Sequence, residues 1–266
     1  MKKLFSFTLF VALLATITFT ACRKDAKLLD YLENLAASQD VAAAQTIAEE
    51  DEEEVTNILE EFGFRGCPTR TLSAPKGTFP QTITIDYGTG CADKKGRNRT
   101  GKIIVTLSDS LRKTGSIRTV TFENCTIDSV KVEGTRVVTN LGNRTFSRKI
   151  TNHKLTFPNG KVATFNSDET MTITAGFLTP LDRTDDVWSI TGTRSGVNRN
   201  GKAYTANVTT PLIKRGDCRW IVSGKLDIIV NTATRMLDYG NGNCDEKGTL
   251  TLPDGTTKEV PLRKWW

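Results

Sequence analysis

From about residue 80 onward, apolar and polar positions alternate along short runs. Ile83, Ile85 and Tyr87 alternate with Thr84 and Asp86. The same period returns at Ile103/Val105/Leu107, Val120/Phe122, Leu155/Phe157, Met171/Ile173/Ala175, Tyr204/Ala206/Val208, Leu226/Ile228/Val230 and Leu250/Leu252. Side chains of a strand point to opposite faces in turn, so this pattern predicts antiparallel strands with one buried and one wet face. Thr, Lys and Arg fill most of the alternate positions, and β-branched Thr suits the exposed side of a pleated strand. Turn signals separate the runs at Pro158-Asn159-Gly160, Asn200-Gly201, Asn241-Gly242 and Pro253-Asp254-Gly255. The prediction is an all-β fold, an antiparallel meander forming a sandwich or a strongly curled sheet. No helical crossover of the length that parallel βαβ units need interrupts it.

Upstream the period changes. Leu28, Leu29, Leu32 and Leu35, then Val55, Ile58, Leu59 and Phe62, follow helical spacing, with Asp40 as an N-cap between two helices. The helical part includes six consecutive acids, Glu49 to Glu54. A run of like charges reads as a solvated face or linker, so this short helical segment is expected to act as an acidic stalk. Before it, Lys2-Lys3 precede an uncharged apolar run over Leu4–Thr20, which reads as a secretory signal. The run ends at Phe19-Thr20-Ala21-Cys22, which resembles the lipobox of bacterial lipoproteins and would make Cys22 the lipidated residue. The expected organisation is a signal peptide at 1–21, a lipidated acidic stalk at 22–66 and a basic β domain at 67–266.

That division explains the charge. The chain has 36 Lys+Arg and 30 Asp+Glu, net +6. Residues 22–61 carry 12 acids and 3 bases, while 62–266 carry 31 bases and 18 acids. Lys94, Lys95, Arg97, Arg99 and Lys102 cluster in one stretch and form a candidate polyanion-binding patch. The partner would be an anionic glycan or an envelope protein, not nucleic acid, outside the cytoplasm. The protein's own acidic segment is the other candidate partner for these bases.

Beyond Cys22, five cysteines remain in an oxidising compartment, which permits disulfides and leaves an odd thiol. A hairpin turning near Asn231-Thr232 would bring Cys218 opposite Cys244, and Cys67–Cys91 is a second possible pair. No C-x-x-C spacing suggests a zinc or redox site, and no cofactor motif occurs. His153, the single histidine, lacks an adjacent nucleophile motif and reads as a core or edge residue. The Asp238–Glu246 loop holds oxygen ligands, but its glycines break the order of a calcium loop, so no metal is expected. Thr84–Cys91 and Met236–Cys244 share an Asp-Tyr-Gly-x-Gly core, from internal duplication or from the few residues that suit such turns.

Taken together, Thr82–Cys91, Gly101–Leu107, Val130–Asn140, Leu155–Phe165 and Cys218–Gly224 resemble a group of uncharacterised lipoproteins of Bacteroidota. The resemblance covers most of residues 67–262 and implies an envelope location and an all-β architecture, with no activity attached. The expected function is a non-enzymatic, lipid-anchored module of the outer membrane that binds glycan, lipid or protein and has no catalytic residues. The alternative is a glycan-active hydrolase on a β-sandwich, which would need two carboxylates facing each other in a cleft.

Overall fold

The computed structural model describes residues 35–59, 66–93, 96–179 and 182–262. One helix, α1, spans 35–59. The strands follow as β1 (Thr69–Leu72), β2 (Gln81–Asp86), β3 (Cys91–Ala92), β4 (Asn98–Leu107), β5 (Ile117–Ile127), β6 (Val130–Gly142) and β7 (Thr145–Thr156). The second half comprises β8 (Val162–Ala175), β9 (Val187–Val197), β10 (Ala203–Arg215), β11 (Ile221–Val230), β12 (Ala233–Asn241), β13 (Lys247–Thr251) and β14 (Thr257–Pro261). All pair antiparallel in chain order in one sheet, with β3 alone set off the path as a short partner of β4. This is the predicted meander, as a single curled sheet whose two ends, β1 and β14, do not pair.

The curl follows from what one helix touches. Val41, Ala44, Ile47 and Ala48 of α1 share a core with Val132, Ile150, Ile190, Leu212, Ile228, Leu237 and Leu250, from strands β6 to β13. Val55 and Ile58, three turns on, pack with Ile83, Ile103, Val105 and Val120 of β2, β4 and β5. Strands lie about 4.8 Å apart, so a flat sheet of this width would extend far beyond a helix about 10–12 Å across. Only a sheet wrapped round the helix brings both ends to it. Five alanines of α1 (Ala37, Ala42, Ala43, Ala44, Ala48) are buried and let the strands approach closely.

Bulges supply the bend. Register shifts fall in eight successive pairings, β4/β5 through β11/β12. Each extra residue bends the strand and increases its twist. Gly101 sits at the first with φ +74°, and a Cβ there would lie 2.2 Å from the carbonyl oxygen of Asn124. Gly134 stands at the third, where a Cβ would lie 2.7 Å from the backbone of His153.

The related segments around Tyr87 and Tyr239 are locally alike. Gly88 and Gly240 donate backbone hydrogen bonds to Asp86 and Asp238, at 2.7 and 2.9 Å. Lys102 and Lys225 on neighbouring strands face those same acids. Both tyrosines are buried, and Cys91 and Cys244 each enter a disulfide. The Tyr87 hydroxyl donates to Glu54, while that of Tyr239 has no hydrogen-bond partner among the described residues. The likeness therefore lies in the turns and disulfides, which fits both a duplication and the few residues such turns allow.

The acidic segment departs from expectation. It is one helix running through Asp40, which caps nothing; its carboxylate instead accepts hydrogen bonds from Arg199, the backbone N–H at 2.7 Å. Nor is 49–54 a solvated stalk outside the β domain. Glu49, Glu50, Asp51 and Glu54 are buried, because each meets a cation or a hydroxyl from the sheet. Arg99 and Asp51 are both 0% exposed and lie 2.5 Å apart, and Arg99 also donates to Asp93 at 2.7 Å. Removing one partner of such a pair leaves a buried charge uncompensated, which costs about 3–5 kcal/mol. Arg99→Met should therefore lower unfolding stability by about that amount in denaturant titration. Adding Asp51→Leu should restore at least about 1 kcal/mol; strict additivity of the two losses would refute the coupling.

Candidate binding cavity

On four successive strands, β4 to β7, the inward face carries an arginine on the same parity as its apolar residues. Arg118 alternates with Val120, Arg136 with Val138, Arg148 with Ile150 and Arg99 with Ile103. Lysines fall on the other parity: Lys102, Lys131, Lys149, Lys154 and Lys225 lie outward. The exception is Lys214, buried and facing Glu53 at 3.6 Å. A guanidinium offers five donors in a planar fork and is less strongly hydrated than an ammonium, so it is the cation suited to an interior.

The arginines and the acids form one network. Arg148 donates to Glu49 at 2.6 Å and Glu169 at 2.7 Å, and Glu169 also receives Arg194. Burial alone would raise the Glu169 carboxyl, but Arg148 and Arg194 hold it below the usual carboxylate range. Glu52 meets both Arg118 and Arg136, and Glu50 meets Arg97 and Arg219.

At one end of the sheet this packing leaves a cavity of about 470 Å³. Its rim is built from the connections β4–β5, β6–β7, β8–β9 and β10–β11, which all lie at the same end of the meander. Glu49, Glu52, Glu53 and Thr56 of α1 line one side. Val138, Phe146, Met171, Ile173 and Trp188 form an apolar wall opposite, with Phe146 and Trp188 rings 5.7 Å apart. Five cations line it: Arg118 from β5, Lys214 from β10, and Arg112, Arg144 and Arg183 from three of the connections. Arg118 is buried and donates to Thr56 at 3.2 Å, but its Nε has no hydrogen-bond partner. Burial, with Arg136, Arg183 and Arg148 nearby, pushes its guanidinium down to about 9 despite the contact with Glu52. Positive charge is in excess here.

Arg144 stands apart. Its guanidinium lies over the Phe177 ring at 4.5 Å, and no carboxylate faces it among the described residues. With Asn143 it forms a two-residue hairpin turn in which both have positive φ, 49° and 62°. Glycine is the preferred second residue of such a turn, and a side chain in the left-handed region costs about 1–2 kcal/mol. The chain thus places arginine where backbone energetics favour glycine.

The residues singled out from sequence divide as follows. Cys22, Lys94 and Lys95 lie outside the described residues. Arg97 and Arg99 are buried and bound to Glu50 and Asp51, so they are not part of a surface patch for an external polyanion. Lys102 faces outward towards Asp86. The polyanion these arginines meet is the protein's own helix. Cys218 is bonded to Cys244 and Cys67 to Cys91, while the Cys125 thiol is buried and pushed up to about 12 by its burial. Asp238 faces Lys225 at 3.1 Å, and no cluster of metal-ligating side chains occurs among the described residues. Comparison with protein-family models, curated proteins and solved structures found no match to this chain.

His153 is buried between Phe122 and Phe165, its ring 5.9 and 4.4 Å from theirs. Burial, with Arg136 acting the same way against Asp51, pushes its imidazole down to about 4. The unfolded chain protonates it near 6.5 while the folded protein keeps it neutral. Its contribution to stability is therefore complete above that pH and is lost as pH falls from about 6.5 to 4, amounting to about 3 kcal/mol. His153→Phe should flatten the dependence of the denaturant midpoint across this window; an unchanged slope would assign it to other groups.

Proposed function

We propose that this protein is a lipid-anchored component of the bacterial outer membrane that binds its ligand in the cavity without transforming it. The anchor is Cys22, on the lipobox-like residues that precede it, and the β domain would face the periplasm or the cell surface. The observation that carries the binding reading is how the cavity's carboxylates are used. Glu52 meets Arg118 and Arg136, Glu49 meets Gln45 and Arg148, Glu53 faces Lys214, and Asp186 faces Arg183 at 3.4 Å. A glycosidase needs one carboxylic acid to donate a proton and a second carboxylate to act on the sugar. Acids already engaged by cations favour a rigid polar lining over that chemistry. The apolar wall and the volume, within the roughly 300–1,000 Å³ of small-molecule pockets, favour a small ligand over a flat protein contact.

Two measurements test this. Growth with a clickable fatty-acid analogue should label the wild type and place it with outer membranes, and Cys22→Ser should abolish both label and membrane association. A panel of chromogenic glycosides should give no turnover with the purified protein. Turnover lost in Glu52→Gln would establish the hydrolase alternative instead.

A further inference from the structure

We propose that the cavity holds a single-chain lipid amphiphile, with its anionic head, a phosphate or a carboxylate, at the mouth among Arg112, Arg144 and Arg183. The aliphatic chain runs inward along Phe146, Met171, Ile173 and Trp188. This rests on reading the cavity as a binding site, and it names the chemistry of what enters.

The distribution of residues sets the orientation. Three cations belong to connections between strands and so stand at the opening, whereas the apolar wall belongs to strands β6 to β9 below them. Arg144 has no carboxylate opposite it among the described residues, and it is held in a backbone conformation that favours glycine. An anion at the mouth gives that guanidinium the partner the protein does not supply. Inside, Arg118 has a buried Nε with no hydrogen-bond partner among the described residues, and the five cations of the lining outnumber its four acids, Glu49, Glu52, Glu53 and Asp186. A cationic ligand is disfavoured by this balance. A free inorganic anion would leave the apolar wall without a partner, and a neutral lipid would leave Arg144 unanswered.

The same end of the sheet exposes apolar side chains. Ile117, Leu141, Phe177 and Leu178 all lie at or beside the connections that rim the cavity, and Leu178 is 84% exposed. Single exposed apolar residues are ordinary, but a group of them round the mouth of a partly apolar cavity fits an opening that meets a lipid surface. An amphiphile would then pass from bilayer to cavity with little exposure of its chain to water.

The test uses the soluble form beginning after Cys22, titrated calorimetrically with dodecyl phosphate, laurate, dodecanol and inorganic phosphate. The two anionic amphiphiles should bind, with dodecanol and inorganic phosphate each at least tenfold weaker. A bromine-labelled acyl chain should quench tryptophan fluorescence, and Trp188→Phe should remove most of that quenching; quenching undiminished in Trp188→Phe would overturn the path of the chain along Trp188. Arg144→Gly should weaken the anionic amphiphiles about tenfold yet raise the melting temperature, because glycine relaxes the turn. A merely structural Arg144 would instead lower the melting temperature and leave affinity unchanged. Ile173→Trp, which fills the cavity, should abolish binding. Equal affinity for dodecanol and dodecyl phosphate overturns the anionic head. Binding of a neutral oligosaccharide blocked by Ile173→Trp, with no amphiphile bound, overturns the ligand class but keeps the cavity as a binding site. Failure of every ligand to bind the folded protein overturns both.

Discussion

A buried seam of opposite charge, acids on α1 against arginines on the inner face of the sheet, sets the terms for everything else in this protein. Each ion taken out of water costs several kcal/mol, and its partner repays that cost only at close range and with the remaining donors satisfied. The seam is therefore intolerant of slippage. A one-residue shift of β4, β5, β6 or β7 would turn its arginine outward and take from an acid of α1 a partner in the interior. Glu169 ties the sheet to itself in the same manner, bridging Arg148 and Arg194 from its two neighbouring strands. Without α1, the concave face would hold several guanidiniums facing one another across a few ångströms. The helix is part of the interior of the sheet, and the sheet is curled because it must reach the helix from both ends.

This seam also marks what could and could not be read from the sequence. The strands and their turns are local properties, encoded by period-two alternation and by Asn-Gly and Asp-Gly pairs, so the antiparallel meander was legible, with alternating runs that mark β2, β4, β5, β7, β8, β10, β11 and β13 but not the long β6 and β9. The helix was legible too. Its destination was not, because the rule that six consecutive acids stay in water holds only when no matching cations wait inside the fold. A signal was nevertheless present. Arg118, Arg136 and Arg148 fall two residues from Val120, Val138 and Ile150 on the same parity, while lysines such as Lys149 and Lys131 fall on the opposite one. Taken as one class, Lys and Arg blur into a wet face. Separated, they distinguish outside from inside, because only the guanidinium combines planar multidentate donation with weak hydration.

The chain's charge acquires a different meaning in this light. The excess of acids in 22–61 and of bases in 62–266 is not two surfaces awaiting partners; much of it is one interior, neutralised within the molecule. Arg97 and Arg99 show the difference most clearly, since proximity in sequence suggested an exposed patch and burial places them against Glu50 and Asp51. What remains for an external anion is not where basic residues are densest in sequence. It is where the network ends.

That end is fixed by the path of the helix. Asp40 is held by Arg199 in the β9–β10 connection, at the opposite end of the strands from the cavity rim, while Val55 and Ile58 pack among β2, β4 and β5. The helix thus crosses the concave face obliquely. At the rim end of β7, β8 and β9 the space between α1 and the sheet is left as the cavity, with Glu49, Glu52, Glu53 and Thr56 on one side and Phe146, Ile173 and Trp188 on the other. Lengthening the helix could not fill that corner, since its direction is set by the pairs behind it. The cavity is a geometric consequence of the same charge register that holds the fold. A substitution that shifted the helix to close the cavity would therefore have to break the seam, whereas Arg144, outside the seam and held in its turn with positive φ, can be replaced without disturbing it.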